Sequence, residues 1–122
     1  MSKLNVFHNT SNVKNIVDLL DKAISIYSLL NYEERDRLVK HERKILVYYV
    51  KNGLTKKTLE DVCEDTNYTK PHLHTVNKTL RDKGYLVRDE NNQHKFYLND
   101  DLVLLRKKFI EDNAKGYIVN FK

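Results

Sequence analysis

Apolar side chains recur at three- and four-residue steps from Asn12 to Leu30, through Val13, Ile16, Val17, Leu20, Ala23, Ile24 and Tyr27. That spacing predicts a helix with one oily stripe, and Ser11 or Asn12 stands where an N-cap oxygen is needed. Asn31 and Tyr32 interrupt the pattern. It resumes through Leu38, Ile45, Leu46, Tyr49 and Val50, so a second helix is predicted from Glu33 to Asn52, with Gly53 as its terminating glycine. A shorter helix follows from Lys56 to Thr66, with Leu59, Val62 and Cys63 on one face, and Asn67 breaks it because asparagine tolerates a left-handed backbone.

Thr69 then reads as an N-cap, and Pro71 lies in a first turn where its missing N–H does no harm. The helix they open runs through Leu73, Val76, Asn77 and Leu80 and closes at Lys83-Gly84. After Gly84 the period changes to alternation. Tyr85 to Asp89 and His94 to Leu98, joined by the polar run Glu90-Asn91-Asn92-Gln93, predict a β-hairpin. A last helix, Asp100 to about Asn113, presents Leu102, Leu105, Phe109 and Ile110; Gly116 closes it, and Tyr117 to Phe121 is strand or coil.

A chain of 122 residues without internal repeat, linker or low-complexity segment reads as one domain spanning 1–122. The absence of an apolar run long enough to cross a bilayer, or of a secretory signal in Met1 to Thr10, points to a cytoplasmic protein without a membrane partner. The lone Cys63 allows no internal disulfide and, on an apolar helix face, reads as a small buried hydrophobe. Most of the eight tyrosines read as core rings whose hydroxyls reach water. Net charge is +5, which mildly favours a polyanionic partner. A bias toward Lys, Asn, Asp and Tyr and against Gly, Pro and Ala is the kind that A·T-rich genomes encode, and it points to a low-GC bacterium or its phage.

The order helix, short helix, three-residue turn, helix and hairpin resembles the winged helix-turn-helix superfamily over Lys40 to Leu98. Cys63 stands at the small position of the first motif helix, Asn67 at the turn position that is usually glycine, and Tyr68 at the buried apolar position after it. Leu73 and Val76 match the apolar offsets of the second motif helix. Leu80-Arg81-Asp82-Lys83-Gly84-Tyr85-Leu86-Val87-Arg88 is similar to the segment with which relatives end that helix and enter the hairpin. Thr66 occupies a place that is usually aliphatic, where its methyl is expected to be buried.

The resemblance implies a mainly α fold with a small β-hairpin wing, built on a core of residues 40–98 and extended by helices 12–30 and 100–113. It also implies binding of double-stranded DNA, with the helix that begins at Lys70 in the major groove. With Leu73, Val76 and Leu80 inward, Lys70, His74, Thr75 and Lys78 are the expected base contacts, and Thr69 and Arg81 the expected phosphate contacts, Thr69 alternatively acting as a cap. From Lys70 to Lys83 four basic residues face one acidic residue. Asn92, Gln93, His94 and Lys95 at the hairpin tip suit minor-groove or backbone contact, opposed by Asp89 and Glu90.

The outer helices either complete the core or pair two copies, as in relatives whose dimers set two recognition helices about 34 Å apart on a palindromic site. For a homodimer the expected contacts are Ile16, Leu20, Leu102, Leu105 and Phe109. No metal is expected, because His72 and His74, two apart on a helix, point about 200° from each other. No cofactor or catalytic activity is expected either: the sequence has no phosphate-binding loop, nucleophile elbow or zincin motif. These features together point to a sequence-selective transcriptional regulator of a low-GC bacterium, plasmid or phage. The alternative is a protein-interaction or assembly module of the same fold, for example a phage packaging or replication accessory protein.

Overall fold

Five helices and one hairpin follow the chain in the computed structural model, which describes residues 13–92 and 95–111. Helix α1 (Val13–Asn31) is followed by a 3₁₀ turn at Glu34–Asp36 and by α2 (Lys40–Asn52), α3 (Lys56–Thr66) and α4 (Lys70–Lys83). Strands β1 (Leu86–Arg88) and β2 (Phe96–Leu98) pair antiparallel, and α5 (Asp100–Arg106) runs into a π-helical turn at Lys107–Glu111. The molecule is thus mainly helical with a small two-stranded sheet. The expected cap at Ser11 or Asn12, the end of the last helix at Asn113, Gly116 and the segment Tyr117 to Phe121 lie outside the described residues.

One correction concerns the second helix, expected to be continuous from Glu33. The chain is instead extended at Arg37 and Val39, and α2 begins only at Lys40. The backbone groups of this segment are engaged by other parts of the molecule. The Leu38 N–H donates to Ser28 Oγ (2.9 Å), and the Asp36 carbonyl accepts from the Tyr85 hydroxyl (2.9 Å). The phenolic proton of Tyr85 is committed to Asp36, so the Ser28 hydroxyl donates in turn to Tyr85 Oη (2.8 Å). Such bonds offset the helical ones the segment forgoes. The Glu42 carboxylate, one turn into α2, accepts the Val39 N–H (3.1 Å), so the new helix start is satisfied from within.

The other helix ends form as their residues dictate. Thr55 Oγ1 accepts from the Thr58 N–H to cap α3, and Thr69 Oγ1 accepts from the His72 N–H to cap α4. Asn67 sits in the left-handed region (φ 63°, ψ 20°) between them. Gly84 ends α4 at φ 97°, with its own N–H donating to Arg81 O and the Tyr85 N–H to Leu80 O. That closure turns the chain directly into β1. Thr66 is half-buried. Its hydroxyl donates to Val62 O (2.6 Å) and accepts the Tyr68 N–H (3.3 Å), bracing the turn with polar contacts.

The core draws Leu20 and Ile24 of α1, Ile45, Leu46, Tyr49 and Val50 of α2, and Val62 of α3 together. Leu73, Val76 and Leu80 of α4, Leu86 and Leu98 of the hairpin, and Leu102 of α5 complete it. In the hairpin Leu86 pairs Leu98 on the buried face and Val87 pairs Tyr97 on the exposed face. Leu20 (0% exposed) and Leu102 (1%) were expected at a contact between copies, and both are consumed by this chain's own core. Ile16, Leu105 and Phe109 are half-buried against it. The apolar side chains that do face outward on these helices are Leu19, Ile26, Leu29 and Leu30 on α1 and Val103 and Leu104 on α5.

A tyrosine cluster locks α1 to the end of α4. Tyr32 stacks on Tyr85 with ring centroids 4.1 Å apart, and Tyr27 meets both edge-on. Asn99, the N-cap of α5, donates its amide to Tyr27 Oη (3.1 Å) and Gly84 O (3.0 Å). The outer helices are thereby tied to the junction of α4 and β1, the point from which the direction of α4 is set.

Candidate nucleic-acid interface

Helix α4 is held by one face only. Leu73, Val76, Asn77 and Leu80 are buried, while Lys70, Pro71, His74, Thr75 and Lys78 are exposed, the split expected of a 3.6-residue period. Inside the molecule Tyr49 of α2 donates its hydroxyl to Asn77 Oδ1 at 2.6 Å, fixing the rotation of α4 about its axis. Burial pushes the Tyr49 hydroxyl well above the usual phenol range. Asn77 was read from the sequence only as a helical position. Its role becomes visible once Tyr49 lies opposite it.

The expected contact residues divide into four groups. Lys70, His74 and Lys95 line one groove between α3, α4 and the hairpin, together with Lys56, which the sequence pattern did not single out. Thr75, Lys78 and Arg81 lie further along α4, outside that groove. The Thr75 hydroxyl donates back to Pro71 O (3.2 Å), and Lys78 Nζ stands 3.2 Å from Asp82 Oδ2 on the exposed side. Arg81 is 4.0 Å from the same carboxylate, and its guanidinium lies over the Phe96 ring at 5.3 Å, so its side chain is only 20% exposed. Thr69 is occupied as the cap of α4. Asn92 is exposed at the hairpin tip, and Gln93 and His94 lie outside the described residues.

The basic count along α4 needs one revision. Lys83 is turned inward, its Nζ 2.8 Å from Glu42 Oε1 and 3.1 Å from the Arg37 carbonyl, with 15% of its side chain exposed against 6% for Glu42. Its charge is neutralised inside the fold and contributes little to the field outside. The outward charge of α4 therefore rests on Lys70 and on the excess of Lys78 and Arg81 over Asp82.

The hairpin carries opposing charge. Asp89 accepts the Asn91 N–H (2.7 Å) and the Tyr97 hydroxyl (2.8 Å), and these two bonds hold its carboxyl below the usual range, so it stays ionised. Across from it Lys95 Nζ lies 5.9 Å from the centre of the Tyr97 ring. His72, expected to point away from His74, is stacked on Tyr68 at 4.1 Å. Tyr68, expected to be buried, is half-exposed in that stack.

Among the described residues no group of three His, Cys, Asp or Glu side chains is placed to hold a metal ion, and no helix is long and apolar enough to cross a membrane. Compared with known protein families, with curated proteins and with solved structures, the chain finds no match.

Proposed function

We propose that this chain is a winged helix-turn-helix protein that binds double-stranded DNA sequence-selectively, as a cytoplasmic transcriptional regulator. The observation that carries the proposal is the division of α4 into two faces. Its apolar side enters the core, with Tyr49 of α2 bonded to Asn77, and its other side leaves Lys70, His74, Thr75 and Lys78 exposed. A rigid helix with cationic and hydrogen-bonding groups at its N-terminal half is the element that major-groove recognition uses. The adjoining hairpin fits the place of a wing, with Arg88 and Lys95 as its described cations.

A homodimer is part of the proposal. The exposed side chains Leu19, Ile26, Leu29 and Leu30 of α1 support it, because a second copy would remove that apolar surface from water.

Selection of duplexes from a random pool, followed by salt titration on the selected site, tests the reading. Each cation brought against the duplex displaces condensed counterions, so Lys70→Ala and Lys78→Ala should each weaken binding and flatten the dependence of log Kd on log salt by about one unit. Failure to enrich any sequence, or slopes unchanged by both substitutions, would overturn it.

A further inference from the structure

The groove between α3, α4 and the hairpin has features that a DNA backbone does not require. Its volume of about 690 Å³ falls within the size that small-molecule sites occupy. Its wall is apolar, formed by Leu59, Leu73, Leu86 and Phe96, of which Leu73 and Leu86 are buried. Its rim carries Lys56, Lys70 and Lys95 against the single acid Glu60. Among the described residues neither Lys56 nor Lys70 has an ion-pair partner.

Asn77 lines the same groove and is only 7% exposed. Its oxygen is taken by the Tyr49 hydroxyl, and no described residue accepts from its amide nitrogen. That nitrogen is not sealed off from solvent, since Asn77 has no fully buried polar atom left without a partner. A polar donor held at the foot of an apolar wall is costly unless something accepts from it.

We propose that this groove is a binding site for a small aromatic carboxylate, with the ring against Leu73, Leu86 and Phe96, an acceptor oxygen on the Asn77 amide, and the negative charge among Lys56, Lys70 and Lys95. A phosphodiester strand makes no use of the apolar wall, and a neutral hydrophobe makes no use of the three ammonium groups. An aryl carboxylate satisfies both, and the amide donor besides. Lys70, His74 and Lys95 belong equally to the surface assigned above to the duplex. A ligand seated here therefore competes with DNA, a consequence that rests on the proposed function, whereas the site itself does not.

The test is a ¹H–¹⁵N NMR titration of the full chain with 2-naphthoate, and in parallel with 2-naphthylmethanol, which has the same rings and no charge. The expected result is a set of shifts confined to Leu59, Leu73, Leu86 and the Asn77 side-chain amide, with the carboxylate binding about three- to tenfold more tightly than the alcohol, as two exposed charge contacts provide. In Lys56→Ala/Lys70→Ala/Lys95→Ala that preference should fall to about one, and the spectrum itself reports that the variant is folded. Shifts scattered over the surface, equal affinity for the two probes, or perturbation only by an acidic peptide would each overturn the site. Displacement of a selected duplex by 2-naphthoate supports the competition. A duplex retained while the groove shifts persist refutes the placement of DNA on Lys70 and His74, not the carboxylate site.

Discussion

Replacing Lys83 by Met separates its structural role from a role in binding. The Lys83 ammonium lies 2.8 Å from a Glu42 carboxylate that is 6% exposed, and it also donates to the Arg37 carbonyl. Methionine keeps the apolar stem and removes the charge, leaving Glu42 with one bond from the Val39 amide. Breaking a buried pair by deleting one partner typically costs about 3–5 kcal/mol. Lys83 retains some water contact, which brings the cost below that range, to about 2–3 kcal/mol, or roughly 10 °C in Tm for a domain of this size.

Adding Glu42→Gln removes the orphaned charge and keeps an acceptor for Val39, so the double variant should recover about 1–2 kcal/mol relative to Lys83→Met alone. Urea unfolding followed by far-UV circular dichroism measures both. For the proposed DNA complex, the salt dependence of binding should be the same for Lys83→Met and the parent chain, since an inward ammonium meets no phosphate. A Lys83→Met protein within about 0.5 kcal/mol of the parent, or a double variant less stable than the single one, would refute the reasoning.

Three further outcomes are expected. Gly53 ends α2 at φ 88° and ψ 164°, a region essentially closed to other residues, while an added Cβ would meet Arg106 Nη2 only at an ordinary 3.6 Å. Gly53→Ala should therefore lose about 1–3 kcal/mol through backbone strain, and a neutral result in urea melts would contradict this. Tyr48, through its hydrogen bond to the Asp65 carboxylate, and Tyr85, through burial, have hydroxyls pushed up from 10.0 to about 12. A raised pKa favours the folded state below the unfolded value, so that stability is whole below about pH 10 and is lost as pH rises toward about 12; a urea midpoint unchanged across that window would rule it out. For the dimer, Ile26→Glu and Leu30→Glu should convert a two-copy species in sedimentation equilibrium to a monomer, and a monomeric parent chain would sink that part of the proposal.

The element boundaries that were legible in the sequence are those set by a single residue acting on its own backbone. Thr69 caps, Asn67 and Gly84 adopt left-handed turns, and Pro71 sits in a first turn; each acts within a few residues, so the chain's own order reveals it. The period of Leu73, Val76 and Leu80 likewise identified the buried face of α4 and, by exclusion, the open face carrying Lys70, His74, Thr75 and Lys78.

What the linear pattern could not hold was any pairing across the fold. The break before Lys40 exists because Ser28 and Tyr85 bind a backbone that would otherwise continue a helix. Lys83 is indistinguishable in sequence from a surface lysine at a helix end until Glu42, forty-one positions earlier, is packed beneath it. Leu20 and Leu102 fit an interface between copies as well as a core, and only the packing of α1 and α5 against α2 consumes them. Lys56 joins Lys70 and Lys95 for the same reason: periodicity assigns a side chain to a face, but which faces meet depends on long-range contacts that local propensity does not encode.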